Sequence, residues 1–252
     1  MATVLNAYLV VGGDFHDFDF ARLELLKLLG EHEEIRTRVA NDYADVAGIA
    51  ASDILVTYTC SLIPTQEQID QGIKPMLAKG GRYLALHASN SITLWLSGPG
   101  EEPRVGTPKI PDDYFQIVGS QFKAHPPLMP FVVRACPEPH PLADGIQPFE
   151  VQEEELYLSD YADGNTPILE CSFRGKVPYF EDGDWDRDVR HLVMYHRRYG
   201  GGEVLYYTLG HARGHYDFRP MMDYYPVVER GAWAREEHYT LLRRGIAWAK
   251  GA

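Results

Sequence analysis

Val4-Leu5-Asn6-Ala7-Tyr8-Leu9-Val10-Val11-Gly12-Gly13-Asp14-Phe15-His16-Asp17 decides the fold class. Its first eight residues are almost continuously apolar, the pattern of a strand covered on both faces in a parallel sheet. Gly12-Gly13 closes the run, and Phe20, Leu23, Leu26 and Leu29 then recur at helical spacing up to Gly30, with Asp19 as the expected N-cap. A buried strand followed at once by an amphipathic helix is the opening half of a βαβ unit. The unit repeats: residues 35–39 read as an edge strand, 53–59 as a central strand, and 65–79 as a helix opened by a Thr65–Gln68 capping box and ended by Gly80-Gly81. Residues 82–86 form the next strand, and His87 follows it. Strands alternating with helices imply right-handed crossovers and a three-layer, doubly wound, mainly parallel α/β sheet.

Further along, residues 131–135, 167–173, 191–195 and 203–208 carry β-branched, aromatic or alternating patterns, which suggests a late antiparallel addition to the sheet. Residues 114–122 look helix-like, and 237–250 close the chain as a helix with Tyr239, Leu242 and Ile246 near one face. Residues 97–113 turn to Pro, Gly and charge without periodicity and read as a surface insertion or lid with no core role. No repeat or linker interrupts the pattern, so residues 1–252 are expected to form one domain carrying that insertion.

A chain of 252 residues with 45 % hydrophobic content can bury a sizeable core. Its formal net charge of −12 disfavours nucleic acid and anionic membrane surfaces as partners, because both need clustered Lys and Arg. Cys60, Cys136 and Cys171 are odd in number and far apart, so they spell neither a disulfide framework nor a CxxC pair, and a reducing compartment fits them. No basic segment precedes the first apolar run and no run approaches a membrane span, so an export signal is not expected and a cytoplasmic location is.

Ligands of open α/β sheets bind outside the carboxyl ends of the strands, which raises the standing of polar residues placed directly after strands. His16, His87 and His211 hold such positions, and His125 follows the segment 114–122. Imidazole suits the place because it works as acid or base near neutrality and, when neutral, ligates transition metals. One histidine alone is more often a capped surface residue, but three at strand ends point to a shared site. In the triplet Glu153-Glu154-Glu155 a solvated face is the default, yet the apolar residues after it pull one carboxylate toward the crevice. Asp17 is either a helix cap or a site carboxylate.

Taken in order, several segments resemble the ThuA-like (trehalose utilisation) proteins of the class I glutamine amidotransferase-like, flavodoxin-like fold. They are Gly12-Gly13-Asp14-Phe15-His16-Asp17, the stretch 77–88 through His87, Val118-Gly119-Ser120-Gln121-Phe122-Lys123-Ala124-His125, Pro139-His140-Pro141-Leu142, Glu154-Glu155-Leu156-Tyr157, residues 199–211, and the closing Gly245-Ile246-Ala247-Trp248. The resemblance spans nearly the whole chain. This sequence departs from it at Glu154, where the family has Asp, at Tyr195, where Trp is expected, and in the 97–113 insertion. At the turn where an amidotransferase carries its Cys nucleophile stand His87-Ala88-Ser89, and all three cysteines are expected elsewhere, so glutaminase activity is not anticipated.

The resemblance implies carbohydrate catabolism on a disaccharide, a glycoside or its 3-keto derivative. The leading reading is metal- or histidine-assisted cleavage of the glycosidic bond, with His87, His211 and Glu155 catalytic and Glu155 the candidate base. His16, His87, His125 and His211 are candidate ligands for a divalent metal, zinc or manganese, and no nucleotide cofactor is expected. Asp17, Ser89 and Tyr157 are candidate substrate contacts, while Trp95, Tyr157, Tyr216 and Tyr225 offer faces for sugar rings. One rival is a plain hydrolase with Glu155 and Asp17 as a carboxylate pair. Another is an idle sugar-binding or scaffold protein. The partner expected is a small sugar; a homo-oligomer and a sugar oxidoreductase of the same pathway are candidate associates.

Overall fold

The computed structural model describes residues 4–98, 101–219 and 221–251. Nine strands form one mixed sheet, in the spatial order Ile35–Ala40, Leu5–Gly13, Ile54–Cys60, Arg82–Leu86, Gly202–Tyr207, His191–Tyr199, Thr166–Cys171, Met129–Ala135, Phe149–Glu154. The first five run parallel to one another, and the remaining four are joined antiparallel. The sheet is thus an α/β sheet of the flavodoxin-like, amidotransferase-like class with an antiparallel flank.

Period-2 alternation in the parallel strands feeds two hydrophobic layers. Leu9, Val11, Leu84 and Leu205 face a cluster closed by the helices Phe18–Gly30 and Glu236–Ala249, whereas Tyr8, Val10, Tyr83 and Tyr206 face the helical segments between residues 66 and 78 and the helix Asp112–Val118. The Gly12-Gly13 pair is required by close approach: a Cβ on Gly13 would overlap the Cys60 carbonyl oxygen, and its φ of +116° lies outside what L side chains readily adopt.

Several local expectations need correction. The first helix is capped by Asp17, whose side chain accepts from Phe20 N–H at 3.0 Å; Asp19 sits inside its first turn. Its buried face is Ala21, Leu25, Leu28 and Leu29, while Leu23 is exposed. The Thr65–Gln68 capping box is present, but a π-helical segment, Ile69–Ile73, interrupts the helix that follows. Residues 114–122 are not one helix: Asp112–Val118 is helical, Gly119 ends it at φ +80°, and Ser120–Ala124 is a strand paired with Leu158–Tyr161. His125 therefore follows a strand after all.

The 97–113 insertion also has a core role. Val105–Gly106 within it pairs with Leu94–Trp95, and Val105 and Ile110 are buried. The strand Phe149–Glu154 carried no clear signal because its polar residues outnumber its apolar ones.

Candidate metal centre

Parallel strands place their carboxyl ends at one edge, so His16 after Leu5–Gly13, His87 after Arg82–Leu86 and His211 after Gly202–Tyr207 meet there. His87 itself adopts φ +49°, a left-handed turn at the strand end that a non-glycine residue takes at a cost. Glu155 arrives from the antiparallel flank by a backbone irregularity. In Phe149–Glu154 the inward positions are Phe149 and Val151, which would make Glu153 the next one. Glu153 instead takes φ +50° and stays exposed, the alternation slips by one residue, and Glu154 and Glu155 both turn inward.

The four groups converge. His16, His87, His211 and Glu155 each offer a ligand atom, and those atoms lie within 4.8 Å of one another with all four residues buried. His16 Nε2 is 2.8 Å from His87 Nε2, and Glu155 Oε2 is 3.7 Å and 3.5 Å from these nitrogens. His211 Nδ1 is 3.2 Å from Glu155 Oε1, at an angle that leaves it without a hydrogen-bond partner.

What lies behind each ring determines its protonation. His87 Nδ1 is 2.8 Å from the Thr208 carbonyl and His16 Nδ1 is 3.3 Å from the Asp14 carbonyl. A carbonyl only accepts, so each Nδ1 is assigned the proton and each neutral Nε2 keeps its lone pair. Burial holds both rings neutral, lowering His16 below the usual histidine range and His87 well below it. With the protons so assigned, two lone pairs lie 2.8 Å apart, an arrangement that suits a cation shared by both.

His211 Nε2 lies 2.7 Å from Glu229 Oε2, the carboxylate-behind-histidine support common at metal ligands. Burial alone would lower His211, but Glu155 and Glu229 outweigh it and raise the group to about 9. The proton it then holds balances charge that a divalent cation would balance instead. Burial would likewise raise Glu155, yet the neighbouring His125 and His211 outweigh it and hold the carboxylate well below its usual range. The donor set, three imidazoles and one carboxylate, suits zinc or manganese.

Glu229 also receives Arg213 Nη1 at 3.1 Å and the Tyr225 hydroxyl at 2.6 Å. Glu154 works as scaffold: its buried carboxylate accepts from the backbone N–H groups of Gly210, His211 and Ala232 at 3.2, 3.0 and 2.7 Å and so fixes the turn that carries His211. Sequence reasoning missed both roles. Glu229 has no local pattern to mark it, whereas Glu154 stood in the acidic triplet that did.

The other candidates divide. His125 is outside the convergent set; its Nδ1 faces the Pro126 carbonyl at 2.7 Å and its Nε2 is 3.8 Å from Glu155 Oε1. Tyr157 donates to Glu155 Oε2 at 3.2 Å and lies 3.3 Å from His87 Nε2. Asp17 does not border the cavity: it caps the first helix and pairs with Arg230 at 2.9 Å, so the proposed Glu155–Asp17 carboxylate pair lacks its second member. Ser89 is fully buried and bonded to Thr57 and Leu86, away from the cavity. Cys60 ends the strand Ile54–Cys60 rather than standing at the His87-Ala88-Ser89 turn; it borders the cavity and packs with Ala88 and Tyr157. Burial and the Glu155 charge push its thiol far up, the reverse of what a nucleophile needs.

Over this floor opens a cavity of about 300 Å³, at the small end of ligand sites. Trp95 and Tyr157 border it; Tyr216 and Tyr225 do not.

The family model described as ThuA, trehalose utilisation, matches residues 9–225. No curated protein matches the chain. A solved structure from Parabacteroides merdae, described as a ThuA-like protein, is 14 % identical with a TM-score of 0.64 over 98 % of this chain and 90 % of that one. Another so described, from Bacteroides uniformis, is 13 % identical with a TM-score of 0.65 over 99 % and 93 %. A β-galactosidase from Rahnella sp. R3 is 15 % identical with a TM-score of 0.51, over 82 % of this chain but 29 % of that one. At these identities the likeness is one of fold. Among the described residues no helix is long and apolar enough to cross a membrane.

Proposed function

Since this chain belongs to the ThuA family of trehalose utilisation, we propose that it is an enzyme that opens the glycosidic bond of a keto-glycoside, with a divalent zinc or manganese ion held by His16, His87, His211 and Glu155. The observation that carries the reading is the convergence of three imidazole nitrogens and the Glu155 carboxylate within 4.8 Å, with His16 Nε2 and His87 Nε2 2.8 Å apart. When bound, the ion would supply Lewis-acid polarisation of a sugar carbonyl.

The protein's own groups divide the remaining work. His125, on the cavity side of Glu155 with its Nδ1 proton tied to Pro126, presents Nε2 as the base for the proton on the carbon between the carbonyl and the anomeric centre. Loss of that proton leaves an electron pair that forms a carbon–carbon double bond as the anomeric C–O bond breaks; the imidazolium returns the proton to the departing oxygen. Tyr157 and Arg213, at 3.2 and 3.7 Å from Glu155, keep the carboxylate oriented. Glu155 is assigned here to the ligand set because a carboxylate held well below its usual range is a poor base.

The test is metal analysis of purified protein combined with turnover of a 3-keto-glycoside. One equivalent of zinc or manganese, lost on dialysis against chelator together with turnover, supports the reading. Full turnover in metal-free protein refutes the metal role, and a His125→Ala variant with wild-type kcat refutes the base.

A further inference from the structure

The floor of the cavity is polar, but its walls have a different chemistry. We propose that this site takes glycosides whose leaving group is an apolar, ring-bearing alcohol in preference to a second sugar. The sugar half of that statement rests on the proposed function; the apolar half rests on the walls.

Above Glu155, His125, Tyr157 and Arg213 the cavity is walled by Phe15, Trp95, Phe122, Leu128, Phe180 and Phe218. Phe122 and Phe180 meet edge to face at 5.7 Å, and Phe180 stands against His125 at 5.2 Å. Across the opening Phe15 meets Phe218 at 6.4 Å, with the Arg213 guanidinium 4.6 Å over the Phe218 ring. The cavity above its polar groups is therefore ring-lined.

A second sugar would bring a set of hydroxyls into this slot. Among the described residues the wall groups able to meet them are the hydroxyls of Ser91, Thr93 and Tyr179, and Thr93 is already paired with Ser61 at 3.0 Å. No Asp, Asn, Gln or Lys among the described residues borders the cavity. Hydroxyls buried without partners cost free energy, whereas an apolar ring gains it.

Two further observations point the same way. Phe15 and Tyr179 reach the cavity from backbone at φ +73° and +74°, a conformation bulky side chains avoid unless the surroundings hold them there. At the rim Leu94, Trp95, Leu96 and Tyr179 are between 40 % and 54 % exposed, an apolar patch of the kind that marks a binding surface.

The experiment titrates phenyl glucoside and trehalose into the metal-loaded protein by calorimetry, with Trp95→Ser and Phe218→Ala at the rim as variants whose folding is checked by circular dichroism. Phenyl glucoside should bind at least about ten-fold more tightly than trehalose, and each variant should weaken it about ten-fold, the effect of losing contact with one ring, and more than it weakens trehalose. Equal or tighter binding of trehalose, no binding of phenyl glucoside, or wild-type affinity in both variants overturns the proposal. Turnover of the 3-keto forms is measured beside it. If phenyl glucoside binds as described but neither keto-glycoside is cleaved, the reaction is wrong and the apolar subsite stands.

Discussion

His87→Ala separates a metal ligand from a structural histidine, provided the two contributions of the ring are kept apart. In the fold His87 donates to the Thr208 carbonyl at 2.8 Å and stacks on Tyr58 with ring centroids 5.6 Å apart. Its removal leaves a buried acceptor unpaired at a cost of about 1–3 kcal/mol, partly offset by relief of the lone-pair contact with His16. That cost is present with and without metal, so it cancels when the metal-induced shift of the variant is subtracted from that of the wild type. A metal at about 100 times its Kd stabilises the wild type by about 2.7 kcal/mol. For a domain of this size that is roughly 5–11 °C in Tm. A variant whose site binds about a hundred-fold more weakly keeps about 0.4 kcal/mol at the same metal concentration, a shift of about 1–2 °C. The assay is a thermal melt in chelator and in Zn²⁺ or Mn²⁺ for both proteins. A wild type without a metal-dependent shift, or a variant with a shift of wild-type size, refutes the ligand assignment.

Glu154→Ala should leave four buried backbone N–H groups, those of Glu155, Gly210, His211 and Ala232, without their acceptor and cost at least about 3 kcal/mol in urea unfolding, equally with and without metal; a loss below about 1 kcal/mol would show that the turn is held by other means. Glu229→Gln keeps the shape behind His211 but removes its charge, and metal affinity by calorimetry should fall about 10- to 100-fold with the fold retained; an unchanged Kd would count against that support. Burial holds His238 neutral down to about 3, while the unfolded chain protonates it near 6.5. The unfolded state therefore binds the extra proton between those values, and stability falls as pH drops below 6.5 by up to about 1.4 kcal/mol per pH unit for this group. His238→Gln, neutral throughout, should flatten the acid side of a stability–pH curve measured between pH 7 and pH 5, and a curve parallel to that of the wild type would refute the assignment.

Most of the architecture was legible in the linear chain because the forces that make strands and helices are local. Residues 4–11 had to be a covered strand, the alternation of units had to give a parallel sheet, and chain direction then put His16, His87 and His211 at one edge. Which carboxylate joins them was not legible. Glu154 and Glu155 differ in role because Glu153 takes a positive φ and shifts the pleat by one residue, and only packing against the sheet imposes that. Asp17 reads equally well as cap or site residue until Arg230, 213 positions away, is seen to hold it. The 97–113 insertion reads as surface because its apolar residues are isolated in sequence; Val105 and Ile110 become core only when distant elements cover them. Glu229 supports His211 from a segment without periodicity, so nothing in its neighbourhood could announce it. Sequence periodicity determined the elements and the edge where they end; long-range contacts between side chains, which no local pattern encodes, decided the ligand set, its supports and the apolar walls above it.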